Sequence, residues 1–384
     1  MRRLVVCCDG TWNRPDQVRD RVASPTNVTK LALGVAERDA AGIEQVLYYH
    51  RGVGTDRRER VRGGAIGLGL SRHVRECYRF LVENYQPDDE LYFFGFSRGA
   101  FTARSLAGLV GNAGILRAEH VGRVDDAYRL YRHRDDRRKP NGIESQIFRR
   151  MYSHDKVGVH FIGVWDTVGA LGIPGLRGPL AKRLWGFHDT TLGPYVRFAY
   201  HALAIDERRG LFKPTLWEKK TDAPARQKLQ QVWFAGVHSD VGGGYRDPSL
   251  SEIPLVWMTD RARECGLAFR PDYLTVADDP DRKLRTLATH IAPNPLGELH
   301  DSRPRLFRRL PGRRRPVVDR KGLAASAVAS SARQRLDEMP DYAAPNLEEY
   351  LSGKAPTVVE WSTQQRVAGI ERGPRPAEPD AYAA

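Results

Sequence analysis

The residues Gly95-Phe96-Ser97-Arg98-Gly99 match G-x-S-x-G and stand between two telling segments. Before them runs Glu90-Leu91-Tyr92-Phe93-Phe94, an apolar and aromatic stretch of buried-strand character. After them Ala100 to Val110 has helical spacing. In a strand–turn–helix context this pattern is a nucleophile elbow: the glycines let backbone and helix crowd the turn, and the serine hydroxyl projects above the sheet. The alternative for so short a pattern is a glycine-rich turn without chemistry.

A serine nucleophile needs a base to take its proton and a third group to orient that base. Two further strand-like runs end in candidates. Val159 to Trp165 leads into Asp166-Thr167-Val168-Gly169, and Val232 to Val237 leads into His238-Ser239-Asp240-Val241-Gly242-Gly243-Gly244-Tyr245. The order Ser97, Asp166, His238 is serine, acid, histidine, as in α/β-hydrolases. Asp240 is the rival acid and His300 the rival base, with His290 and His201 behind them. Taken singly, Asp166 also reads as a helix cap and His238 as a core histidine. The oxyanion of an acyl-transfer intermediate needs two backbone donors. The N–H of Arg98 is one, and Gly10 or Thr11, in Asp9-Gly10-Thr11-Trp12-Asn13 after the first strand, supplies the other.

Other chemistries fit less well. Asp9-Gly10-Thr11 is part of the D-x-D-G-T pattern of aspartyl-phosphate enzymes, but Cys7 occupies the nucleophile's place. A divalent metal on Asp9, Asp166, His238 and Asp240 would make a phosphoesterase, yet no closely spaced histidine pair supports it. The glycine-rich 52–69 segment lacks the order of a phosphate-binding P-loop. No cofactor motif is present.

The elements that must position these residues alternate. Strands are predicted at 4–8, 43–50, 90–94, 157–165 and 229–237. A helix starts near Thr26, with Thr26 or Asn27 capping, and a second carries Val74, Cys77, Tyr78, Leu81 and Val82 on one face. Strands that are apolar throughout indicate a mainly parallel sheet covered on both faces, with ligands at the carboxyl ends of its strands. The predicted class is α/β, α/β-hydrolase-like, with a lid-like insertion at 169–194, which is rich in Gly, Pro and apolar side chains. Residues 113–152 read as helical but heavily charged. The predicted organisation is a catalytic domain over 1–305, an extension packed on it over 306–372, and a disordered tail over 373–384.

The 384 residues are 41% hydrophobic, enough for a proper core, and the net charge is +14, with 50 of the 61 basic residues arginine. Such charge draws a protein toward anionic surfaces, so an anionic membrane surface is a candidate partner. Nucleic acid is not, since no recognition motif accompanies the charge. Arginine clusters such as Arg313-Arg314-Arg315 are read as solvated surface. The four cysteines have no metal spacing, and Cys7 and Cys8, as strand neighbours, point to opposite faces; buried free thiols of a reducing compartment are expected. The N-terminal apolar run is too short for a signal peptide and no stretch is long enough to span a bilayer, which predicts a cytoplasmic protein, exported if at all by a signal-less system.

Four motifs in order, Cys8-Asp9-Gly10-Thr11-Trp12-Asn13, Gly95-Phe96-Ser97-Arg98-Gly99-Ala100-Phe101, Gly163-Val164-Trp165-Asp166-Thr167-Val168-Gly169 and Gly236-Val237-His238-Ser239-Asp240-Val241-Gly242-Gly243-Gly244-Tyr245, resemble the catalytic domain of the first class of type VI secretion lipase effectors. The resemblance covers about residues 1–305. It implies a serine hydrolase acting on acyl esters of lipid or phospholipid type, with Ser97 at the nucleophile's position. A binding module that keeps the fold without turnover is the competing expectation.

Overall fold

The computed structural model describes residues 1–10, 18–19, 22–52, 65–133, 135–154, 156–168, 190–271, 273, 275–276, 290–303, 312–317, 326–353 and 355–361. Within them one sheet holds eight strands: β1 (Arg3–Cys8), β2 (Gln45–His50), β3 (Glu90–Phe96), β4 (Val159–Trp165), β5 (Val196–Ala204), β6 (Lys228–Phe234), β7 (Ser326–Ala329) and β8 (Val358–Val359). Their spatial order is β2-β1-β3-β4-β5-β6-β7-β8, and each pairing is parallel. The α-helices are α1 (Asn27–Gly34), α2 (Ala65–Asn84), α3 (Arg98–Ala113), α4 (Val124–Arg132), α5 (Ile143–Tyr152), α6 (His238–Gly242), α7 (Ser249–Glu264), α8 (Ser330–Glu338) and α9 (Pro345–Leu351).

Parallel strands need crossover helices, so both faces of such a sheet are buried and its strands must be apolar on both sides. The two cores show this. Leu4, Val6, Cys8, Leu91 and Phe93 pack with Val74, Tyr78, Leu81, Leu106 and Val110 of α2 and α3. The alternate residues Val5, Cys7, Tyr92 and Phe94 pack with Val28 and Leu31 of α1 and Ile253 and Trp257 of α7. The fold is thus α/β of the α/β-hydrolase-like kind, as the strand alternation predicted. Thr26 caps α1, its hydroxyl accepting the Thr29 N–H at 3.2 Å. The charged 113–152 region is helical in part, through α4 and α5.

Chain order places the chemistry. From β1 the chain steps one way to β2 and then the other way to β3, so β1 and β3 flank the point where the winding reverses. Helices leave that point on opposite faces and open a crevice at the carboxyl ends of the strands. Asp9 follows β1 and Ser97 follows β3 there.

Three strands escaped prediction. β5 is interrupted by Arg197 and His201, and β7 and β8 are too short to announce themselves. Past residue 305 the chain continues the same sheet through β7 and β8, and Trp233, Val328, Ala332 and Leu347 form a third core there. Of the 169–194 segment, residues 169–189 lie outside the described ones, whereas Leu192 is buried and Thr191 bridges Glu218. The 373–384 tail also lies outside them. Among the described residues no helix is long and apolar enough to cross a membrane. All four cysteines are free thiols; Cys7, Cys8 and Cys77 are buried and Cys265 partly so.

The elbow depends on close approach. A Cβ on Gly99 would lie 2.1 Å from the Cys8 carbonyl oxygen and 2.4 Å from that of Asp9, both backbone atoms that cannot swing aside. Gly99→Ala is therefore expected to destabilise by about 3 kcal/mol or more, read as a lowered denaturation midpoint. Gly122→Ala, where nothing lies within 4 Å of the added carbon, serves as the near-neutral comparison.

Candidate active site

Ser97 sits at the tight turn between β3 and α3 with φ 57° and ψ −117°, a left-handed conformation that costs a non-glycine residue energy. The turn is held by its N–H, which donates to the Trp165 carbonyl at 3.0 Å across the β3–β4 boundary. The strain turns the side chain away from the sheet. Its Oγ lies 2.8 Å from His238 Nε2. His238, the first residue of α6 after β6, reaches across with its other nitrogen, Nδ1, to Asp166 Oδ2 at 2.5 Å. Asp166 follows β4, itself at φ 38°. Three residues from three strand ends thus form one hydrogen-bonded line, and all three are buried.

The acid end is the most constrained. Asp166 is fully buried, and its carboxylate receives the Ala204 N–H at 3.1 Å and both terminal nitrogens of Arg315, at 2.6 and 3.0 Å. Burial alone would push its pKa up, but the Arg315 charge and the His238 hydrogen bond outweigh it and hold the carboxyl well below the usual range. Arg315 also donates to the carbonyls of Ala204, at 3.0 Å, and Phe212. His238 itself is shifted down by burial, against the opposing pull of Asp166. Its ring lies between those of Phe96 and Phe212, with centroids 4.7 and 4.9 Å away. Buried Glu207 accepts the backbone N–H of His238 at 3.3 Å and takes the Arg209 fork, so this carboxylate is neutralised locally.

The other predicted residues fall as follows. Asp240 and His300 pair with each other, Oδ1 to Nδ1 at 2.6 Å, beneath Tyr245, whose ring stacks on His300 at 3.9 Å. His201 is buried beside the line: its Nε2 accepts the Thr167 N–H at 3.1 Å, and burial pushes its pKa down to about 3, so it stays neutral. His290 belongs to a two-residue strand paired with Thr275–Val276. Arg98 opens α3, where an N–H has no acceptor within its own helix. The Gly10 N–H donates to Asp9 Oδ1 at 2.6 Å, and Thr11 lies outside the described residues. Asp9 is encircled, accepting also from Thr26, Thr29 and Tyr49 at 2.8, 2.9 and 2.5 Å. Asp9, Asp166, His238 and Asp240 therefore do not converge on one point: each carboxylate has its own partners.

Arg315 is the residue that sequence reasoning missed. In sequence the run Arg313-Arg314-Arg315 has the character of solvated surface, yet Arg315 is 4% exposed and ion-paired to Asp166. Nothing local distinguishes it from Arg313 and Arg314, which are exposed. Glu207 carries no pattern either.

Fold and site define an α/β-hydrolase-like protein with a serine at the tight turn between β3 and α3. Residues 2–261 match the model of a known family, and the chain belongs to it: the type VI secretion (T6SS) phospholipase effector Tle1-like catalytic domain. An uncharacterized protein of Saccharomyces cerevisiae is 31% identical over 262 residues, covering 62% of this chain and 36% of that protein, so the chain spans little more than a third of this relative's length. Two solved structures are more distant. An uncharacterized protein from Pseudomonas aeruginosa is 20% identical with a TM-score of 0.43, over 70% of this chain and 46% of that one. The Tle1 effector, solved bound to the VgrG spike of the type VI secretion system, is 20% identical with a TM-score of 0.38, over 64% of this chain and 51% of that one.

Removing Arg315 would leave a buried carboxylate charge without compensation. Arg315→Met is expected to cost about 3–5 kcal/mol of stability, seen as a lower midpoint in denaturant unfolding. Arg315→Lys keeps the charge but loses the two-pronged geometry and should fall between the two.

Proposed function

We propose that the chain is a serine hydrolase that cleaves acyl esters of lipid or phospholipid type through an acyl-Ser97 intermediate. The single observation that carries this reading is the continuous line from Ser97 Oγ through both nitrogens of His238 to Asp166. Membership in a family described as phospholipase effectors supports the ester class and a lipid substrate. The net charge of +14 supports attraction to an anionic bilayer carrying that substrate, and export by a secretion system is compatible with such a role.

In this mechanism His238 Nε2 takes the Ser97 proton as the Oγ attacks the ester carbonyl. Nδ1–H stays donated to Asp166, which holds the ring's orientation and stabilises the imidazolium that forms. Charge developing on the carbonyl oxygen is met by the Arg98 N–H at the start of α3, where the helix dipole adds to it. The second donor is assigned to the loop after β1, at Thr11 or Gly10; for Gly10 to serve, its N–H must leave Asp9 Oδ1. His238 then passes its proton to the leaving alcohol, the alkoxy oxygen departs, and the acyl group remains on Ser97. Water, deprotonated by His238, repeats the sequence and frees the carboxylic acid.

A fluorophosphonate probe tests the nucleophile: it should label the wild type and not Ser97→Ala, while ester hydrolysis falls by roughly 10⁴-fold or more. A folded wild type that resists labelling would indicate a module that keeps the fold without turnover. EDTA-sensitive activity surviving Ser97→Ala would indicate a metal phosphoesterase.

The pH profile gives a second check. The base must be neutral, and burial lowers the pKa of His238, so the neutral form persists below the ordinary histidine range. The acid limb of kcat/KM is therefore expected below about pH 6.5, with a plateau through neutrality. A limb above that value would contradict the assignment of His238 as base.

A further inference from the structure

Away from the serine site, three side chains meet where β2 ends against α2. His50 is the last residue of β2; His73 and Glu76 stand three apart on α2 and so share one face of it. Each offers one ligand atom, and these atoms lie within 4.8 Å of one another. Among the described residues this is the one group of histidine, cysteine and acidic side chains with that property. We propose that His50, His73 and Glu76 form a binding site for a divalent transition-metal cation of the zinc type, with a fourth position left to water.

The hydrogen-bonding pattern of the cluster points to a cation. His50 Nδ1 lies 2.8 Å from the Arg51 carbonyl oxygen and Nε2 lies 2.7 Å from Glu76 Oε2. The Arg51 carbonyl accepts from one side of the ring, and Nε2 faces the Glu76 carboxylate directly on the other. With a metal at Nε2, Nδ1–H donates to the Arg51 carbonyl. A backbone carbonyl holding the far nitrogen is how metal-bound imidazoles are usually oriented. Glu76 is oriented likewise: Arg72 Nε donates to Oε1 at 2.6 Å and leaves Oε2 as the ligand atom. The His73 ring lies 4.1 Å from that of His50, centroid to centroid, and makes no hydrogen bond among the described residues, so a nitrogen lone pair is unclaimed.

The donor set selects the ion. Two imidazoles and one carboxylate suit zinc and its first-row neighbours better than calcium or magnesium, which take oxygen ligands. Metal–ligand lengths of about 2.0–2.1 Å in tetrahedral geometry put ligand atoms about 3.3 Å apart. Binding therefore opens the His50–Glu76 contact from 2.7 Å and draws the wider pairs together. The consequence is mechanical. The His50 carbonyl accepts the Asp9 N–H at 3.0 Å, so a metal tying His50 to α2 braces the strand ends from which the Asp9-Gly10 loop departs. The site lies two strands, roughly 10 Å, from Ser97 along the same sheet edge.

The test is metal titration of the full chain after dialysis against chelator. Zn²⁺ followed by calorimetry should bind with one equivalent and raise the melting temperature, and Co²⁺ should give the strong visible absorption of a four-coordinate site. His73→Ala, which removes no hydrogen bond, and Glu76→Gln, which keeps the shape, should each weaken binding at least tenfold. No saturable uptake by the wild type, or uptake equally tight in both variants, overturns the proposal. So does a Co²⁺ spectrum no stronger than that of the hydrated ion, a readout independent of how either variant folds.

Discussion

A carboxylate with no access to water, Asp166, sets the conditions that the rest of the site obeys. An isolated charge in that position would cost several kcal/mol, so it persists only because Arg315, His238 and the Ala204 N–H meet it from three directions. Those partners come from β6's end, from β5 and from a segment beyond residue 311, so one buried charge fastens together parts of the chain far apart in sequence. The same requirement orients His238. With Nδ1–H committed to Asp166, Nε2 is left as the acceptor facing Ser97, which is the tautomer a general base needs.

The second constraint is topological. Because the chain steps from β1 one way to β2 and then back past it to β3, the crevice opens between the carboxyl ends of β1 and β3, and Asp9 and Ser97 stand on its two sides. Gly99 lets α3 pass against the backbone at Cys8 and Asp9, which joins the elbow to the first strand's loop. Asp9, ringed by Tyr49, Thr26, Thr29 and Gly10, fixes that loop from within, and so serves the site without facing the serine.

Several buried charges among the described residues are paired locally. Lys30 and Glu252 join α1 to α7 at 3.0 Å, Glu207 takes Arg209, and Asp240 takes His300. Asp240 and His300 satisfy each other, whereas Asp166 and His238 are the pair that lines up with Ser97.

The amino-acid pattern was enough to assign the class of fold and to mark the strand ends where the candidate residues stand. Strands apolar on both sides require a covered parallel sheet, and residues just past strand ends must gather along one edge, so Ser97, Asp166 and His238 were legible as candidates, with Asp240 and His300 beside them. The elbow was legible because only glycine tolerates the approach at Gly99. Tertiary structure alone decided which acid and which histidine join Ser97, since Asp240 also follows a strand and differs from Asp166 only in what the fold brings against it. It alone revealed Arg315, indistinguishable in sequence from the exposed Arg313 and Arg314 beside it. It also supplied β5, β7 and β8, whose short or interrupted patterns become strands because neighbours offer unpaired edges. Local periodicity reports what a segment can bury; which distant charge it must neutralise is settled only when the chain is folded.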